Sequence, residues 1–194
     1  GSALIIGTAT GALRYKGGKL DSIPFLDSIP DGIVDVNFTH QGEAFLGLSG
    51  AVYAPTAKGL KRVETWKDLP IDTLRIFAIK SSPKQECLLV NGVGIFLWNG
   101  SRIININESN GLASTLFKSA EFVGERLWVI TDRGMQYVET TTDAKNLFRI
   151  GGISKLSFIN QRDFNSRALH ISADKKLLCG SNNGLFVVDD ASIG

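Results

Sequence analysis

Few residues in this chain are of types that carry chemistry. The histidines are His40 and His170, and the cysteines are Cys87 and Cys179. A zinc centre needs three or four such side chains converging at ligand spacing. No His/Cys cluster of that kind occurs, so no metal is expected, and both histidines read as bonded within the fold or solvated. The cysteines lie in separate apolar runs and read as buried small hydrophobes, too far apart to bridge. No serine stands in a nucleophile elbow, and no phosphate- or dinucleotide-binding glycine pattern occurs. Carboxylates such as Asp35, Glu43 and Asp132 are scattered, and no pair is set in register for acid–base work. The expectation is therefore a non-catalytic protein without a cofactor.

What remains is a set of polar residues at tight turns. Lys58, Asn91, Asp132, Arg133, Asn182 and Asn183 occupy short links between apolar runs, and residues 8–10 form a further link. Such side chains bind a polar ligand when turns gather on one face of a scaffold. The same residue types also make turns for local reasons alone. Among the tryptophans, Trp128 and Trp98 read as core. Trp66 reads as part of an outer strand and as the most exposed, a candidate stacking surface for a sugar or a protein partner. Three glycosylation sequons begin at Asn37, Asn99 and Asn107. Asn37 falls in a predicted strand where a glycan has no room, and all three read as chance matches.

The elements that must position these turns follow from a phrase that occurs five times. It consists of an apolar run, a small polar turn, a glycine and a second apolar run, at residues 4–15, 52–63, 88–98, 127–138 and 177–188. The runs are too short for helices and are rich in β-branched and aromatic residues, so each phrase predicts a hairpin. The anchor glycines are Gly11, Gly59, Gly94, Gly134 and Gly184, with steps of 48, 35, 40 and 50. Each is expected where a Cβ clashes, or where φ is positive. A period near 43 built from short strands predicts an all-β chain: a β-propeller of about five four-stranded blades. First strands are expected at 33–39, 73–80, 115–123 and 167–172. Outermost strands are expected at 19–25, 63–67, 101–107 and 146–150. The longer stretches at 43–51 and 151–166 read as loop insertions.

In this phasing the chain starts at the second strand of one blade and stops after the third strand of another. The 194 residues thus read as one propeller domain, 1–194, or as a segment of a larger propeller, with Gly1 and Ser2 as a cloning remnant. Incomplete end blades leave strand edges and apolar sheet faces uncovered, so the expectation is either closure into a small five-bladed ring through a rearranged terminal blade, or self-association or dependence on the rest of a parent protein. There are 21 basic and 19 acidic residues, giving a net charge of +2 without a basic stripe, so nucleic acid is not an expected partner. No run reaches the length of a membrane span.

The clearest repeat reads Asn110-Gly111-Leu112-Ala113-Ser114, then Gly124-Glu125-Arg126-Leu127-Trp128-Val129-Ile130-Thr131-Asp132-Arg133-Gly134-Met135-Gln136-Tyr137. It resembles the two-component-regulator propeller repeat, with Leu127-Trp128, Thr131, Gly134 and Tyr137 at matching positions. Gly7-Thr8 with Gly11, and Gly180-Ser181 with Gly184-Leu185, match as well. Pro55 and the shortened Asn91-Gly92 turn depart from the pattern. The resemblance implies a sensor or input module of a bacterial signalling or surface protein, periplasmic or extracellular. Its expected ligand is a small molecule or glycan, or its partner a protein. The Gly-Leu-hydrophobic phrase also resembles citron-homology propellers, which implies a cytoplasmic scaffold as the alternative. A sugar-processing propeller enzyme is a third reading.

Overall fold

The computed structural model describes residues 4–8, 11–23, 33–39, 42–47, 52–56, 59–66, 69, 76–143, 146–152 and 164–189. Those residues form eighteen strands and two short 3-10 turns. The strands are β1 (Leu4–Thr8), β2 (Gly11–Lys16), β3 (Lys19–Ile23), β4 (Ile33–Thr39), β5 (Gly42–Gly47), β6 (Val52–Thr56), β7 (Gly59–Arg62), β8 (Ile76–Ser81) and β9 (Glu86–Val90). They continue as β10 (Gly94–Trp98), β11 (Ile103–Ile106), β12 (Phe117–Val123), β13 (Arg126–Thr131), β14 (Gly134–Thr140), β15 (Phe148–Gly152), β16 (Phe164–Ile171), β17 (Lys176–Ser181) and β18 (Gly184–Asp189). Five sheets result, of three, four, four, four and three strands, each ordered as in the chain. The expected all-β architecture of repeated meander sheets is what the chain forms.

All five phrases are hairpins, and four of them join the second and third strands expected of a blade. Thr8 pairs with Gly11, Thr131 with Gly134 and Ser181 with Gly184, and the last two pairs each close a two-residue turn. The hydroxyls explain the spacing. Thr131 Oγ1 accepts from Arg133 N at 3.1 Å and donates to Gly134 O at 3.3 Å. Ser181 Oγ repeats both contacts, with Asn183 N at 3.0 Å and Gly184 O at 3.2 Å. Gly94, Gly134 and Gly184 have φ of 138°, 132° and 127°, in the region that glycine alone enters cheaply.

The second repeat corrects the phasing. Thr56 pairs with Gly59 at the same spacing, but between β6 and β7, the third and fourth strands of their sheet. The second strand is β5, in the stretch read as an insertion. The expected outer strand at 63–67 is absent: Glu64–Trp66 is a 3-10 turn, set by Trp66 N donating to Val63 O at 3.3 Å. Counted by third strands, the repeats begin at Gly11, Val52, Gly94, Gly134 and Gly184. The steps become 41, 42, 40 and 50, more even than the glycine steps. Pro55, which cannot donate to a ladder, lies beyond the two pairs that join β5 to β6. The second expected insertion, 151–166, begins in β15 and ends in β16, and its middle lies outside the described residues.

Two compact units divide the chain, Gly1–Val90 and Asn91–Gly194. In the first, β4 and β8 stand side by side, each with a register shift near its start. Asp35 Oδ2 accepts from Ile79 N at 3.2 Å, and Asn37 Nδ2 donates to Ile79 O at 2.9 Å. The second unit repeats the device between β12 and β16, which are also shifted near their starts. Ser119 Oγ accepts from Leu169 N at 3.2 Å, and Lys118 Nζ donates to Phe164 O at 2.9 Å. Asp35 is thus a fastener between first strands, and the Asn37 amide is occupied by the fold.

The core of the second unit lies between its four-stranded sheet and its three-stranded sheet. Trp128, Ile130, Met135 and Tyr137 from one meet Leu169, Leu177, Cys179 and Val188 from the other. Burial of this apolar surface is the main force holding sheet on sheet. Cys87 and Cys179 are buried free thiols, as their apolar runs implied, and burial pushes the Cys179 thiol up to about 12.

Candidate functional site

The site grows from a capped turn. Asn107 Oδ1 accepts from Ser109 N at 2.9 Å, and Asn107 N donates to Asn110 Oδ1 at 3.0 Å. This reciprocal capping fixes the single turn Glu108–Asn110. Gly111 ends it at φ 101°, a conformation that redirects the chain toward β12. Leu112 is buried, which anchors the segment.

Beyond that turn the segment is tied to β14. Gln136 Oε1 accepts from Ala113 N at 2.6 Å, and Gln136 Nε2 donates to Gly111 O at 3.2 Å. Both ends of one side-chain amide are used, so its orientation is set. The exposed Arg133 sends Nη1 to Ala113 O at 3.2 Å. An open groove of about 440 Å³ results, lined by Asn110, Gly111, Ala113, Arg133, Gly134 and Gln136 on this side. Ile150, Gly151 and Gly152 of β15 help to complete it.

Glycines keep the β15 wall thin. A Cβ at Gly151 would meet the Tyr137 ring, with Cε1 at 2.6 Å and the ring Cζ and hydroxyl nearer still. A Cβ at Gly152 would stand 3.1 Å from Met135 O. Tyr137 is held from behind by Trp128, with ring centroids 5.1 Å apart, and by the Arg126 guanidinium 4.8 Å over its ring. Arg126 faces Glu139 across the strands at 3.6 Å, and Arg149 Nε donates to the same carboxylate at 2.6 Å.

The expected site residues divide. Asn91, Asp132 and Arg133 come together along one segment, 113–117. Asn91 Oδ1 accepts from Phe117 N at 2.9 Å, and Asp132 N donates to Leu116 O at 3.1 Å. Asn91 therefore has a fastening job, and Arg133 is the member that reaches solvent. Asn182 and Asn183 are exposed on their own turn. Lys58 lies outside the described residues. Trp66 is a correction: it is fully buried in the 3-10 turn and offers no stacking surface. Trp128 is core, as expected. His170 is exposed on β16, and His40 lies outside the described residues. Of the other sequons, Asn99 Oδ1 accepts from Arg102 N at 3.2 Å, and Asn107 caps its turn.

No family model matches the sequence, and no curated protein is detectably similar to it. Solved structures are similar in shape. Two structures of the extracellular domain of BT4673 from B. thetaiotaomicron, a one-component or hybrid two-component system, superpose with TM-scores of 0.71 and 0.70. Each is 12% identical over 99% of this chain. The WD40 β-propeller domain of Doa1 superposes with a TM-score of 0.58, at 13% identity over 99% of this chain and 62% of that one. The fold is that of a β-propeller. The sheets are its blades, and the groove lies at the second-to-third turn of the fourth. The chain spans under a third of the BT4673 domains, 29% and 28% of their lengths.

Proposed function

We propose that this propeller is a non-catalytic binding module, the input or interaction surface of a larger bacterial signalling or surface protein. The observation that carries the reading is the groove beside Arg133. Its backbone is fixed in advance by the Asn107 cap and the Gln136 amide, so little order is lost when a ligand enters. Its exposed guanidinium offers a planar donor fork suited to a carboxylate. A small polar or acidic ligand, such as a carboxylate-bearing oligosaccharide, fits that chemistry. The likeness to extracellular domains of BT4673 supports a periplasmic or extracellular setting.

The test is a thermal-shift panel of neutral and uronate-bearing oligosaccharides on the wild-type chain and Arg133→Ala. Stabilisation of the wild type by a uronate-bearing member, lost in the variant, supports the reading. Equal stabilisation of both proteins, or none of either, contradicts it.

A further inference from the structure

The polar groups around the groove beside Arg133 divide into those the fold has used and those it has left, and the division selects a ligand. The acceptors that tie the segment to β14 each already hold a donor. Gln136 Oε1 takes Ala113 N at 2.6 Å, Gly111 O takes Gln136 Nε2 at 3.2 Å, and Ala113 O takes Arg133 Nη1 at 3.2 Å. Asn110 Oδ1 takes Asn107 N at 3.0 Å. What remains on this side is donor capacity. A guanidinium is a fork of several N–H donors, of which Arg133 spends one on Ala113 O. Asn110 spends its amide oxygen on its own turn, which fixes the other end of the amide as nitrogen. Among the described residues no acceptor is paired with Asn110 Nδ2, and Asn110 is exposed and lines the groove. No carboxylate is among the described residues that line it, and Ile150, Gly151 and Gly152 bring no polar side chain.

We infer that Asn110 sets the specificity of the groove: its amide nitrogen and the Arg133 guanidinium donate together to one ligand carboxylate, and a neutral amide in that place is refused. This role rests on the reading of the groove as a carboxylate site, and adds to it a second donor and a basis of selection. An ionised carboxylate only accepts, and its two oxygens can satisfy a donor from each side chain. A carboxamide offers one oxygen and turns its own N–H groups toward donors, so polar groups on both sides are left unpaired. A site matched to one pattern of hydrogen bonds rejects such an analogue strongly. The cap adds preorganisation. Because Asn107 N already holds Asn110 Oδ1, the orientation of the amide nitrogen is set before a ligand arrives.

Calorimetric titration of the full chain with digalacturonate and with its bis-amide tests this. Asn110→Asp keeps an oxygen for Asn107 N and turns the free donor into an acceptor, so the capped turn is retained. Asn110→Ala removes the donor without adding a charge. Thermal melts check that both variants remain folded, and Arg133→Ala tests the groove itself. The wild type should prefer the acid over the amide by about tenfold or more, the scale of a hydrogen bond to a charged group. Each Asn110 variant should lose most of that preference. An unchanged preference in both Asn110 variants, with binding lost in Arg133→Ala, overturns the role of Asn110 and leaves the carboxylate groove standing. A preference lost in Asn110→Asp but kept in Asn110→Ala also overturns it, because charge repulsion then accounts for the loss. So does a wild type that binds acid and amide equally. No binding of the acid by the wild type, or binding that survives Arg133→Ala, overturns the groove and the role of Asn110 together.

Discussion

Alanine at Gly94 should cost more than alanine at Gly184, and the structure says by how much. Both glycines open the third strand of their sheets at nearly the same φ, 138° and 127°, and both belong to the second unit. Backbone strain is therefore common to the two, about 1–2 kcal/mol for a Cβ in this region. Their surroundings differ. A Cβ at Gly184 meets nothing within 4 Å. A Cβ at Gly94 would press on Ile106 O, with Asn107 Cβ at 3.0 Å and Asn105 Oδ1 at 3.1 Å. A backbone carbonyl inside a ladder cannot swing aside as a flexible side chain can, so overpacking adds about 1–3 kcal/mol. In a domain of this size each kcal/mol lowers Tm by about 2–4 °C. Gly184→Ala should thus lower Tm by roughly 2–8 °C, and Gly94→Ala should melt at least about 2 °C below it. Calorimetry of the three proteins at one scan rate decides. Equal melting of the two variants, or Gly184→Ala the less stable, would refute the reasoning from register and close approach.

Three further outcomes follow from packing and burial. Gly151→Ala must displace the Tyr137 ring from its place between Trp128 and Gly151, so it should destabilise by about 1–3 kcal/mol and alter the near-ultraviolet dichroism of Trp128; Gly151→Ala with Tyr137→Leu should recover part of that loss. Trp66→Ala should cost about 3–5 kcal/mol in denaturant melts, and Trp66→Phe much less, because Trp66 is a fully buried side chain rather than a surface ring. With its pKa raised from 9.0 to about 12 by burial, Cys179 stays a neutral thiol and should resist iodoacetamide at pH 8 until denaturant is added. In the unfolded chain that thiol ionises first, so its contribution to stability is full below about pH 9 and is lost as pH rises toward 12, as alkaline denaturation curves of the wild type and Cys179→Ala would show.

The hairpins were legible in the sequence because their turns are written locally. A Ser or Thr hydroxyl bonds across a two-residue link to a glycine at positive φ, and both residues are visible at fixed spacing. The rank of a hairpin within its sheet was not legible. Thr56 and Gly59 carry the same spacing as Thr131 and Gly134, yet they close the third-to-fourth link. The true second strand, β5, is short and bounded by Gly42 and Gly47, so it looked like a loop. Trp66 was misplaced by that slip, because an outer strand exposes what this 3-10 turn buries. At the site, Arg133 was legible as a turn residue. Gln136 was not read as part of it, since its partner Ala113 lies 23 positions earlier and only the folded chain brings them together. The nearby signal was the glycine pattern: Gly111 after the turn-forming Asn107–Asn110, and the Gly151-Gly152 pair in a strand.

The most direct test of the binding-module account is amide chemical-shift mapping of the labelled chain during titration with the uronate-bearing oligosaccharides. The account predicts saturable shifts concentrated at Gly111, Ala113, Arg133 to Gln136, Gly151 and Gly152, and their disappearance in Arg133→Ala. Shifts confined to other sheets, or no saturable shift with any member of the panel, would contradict it.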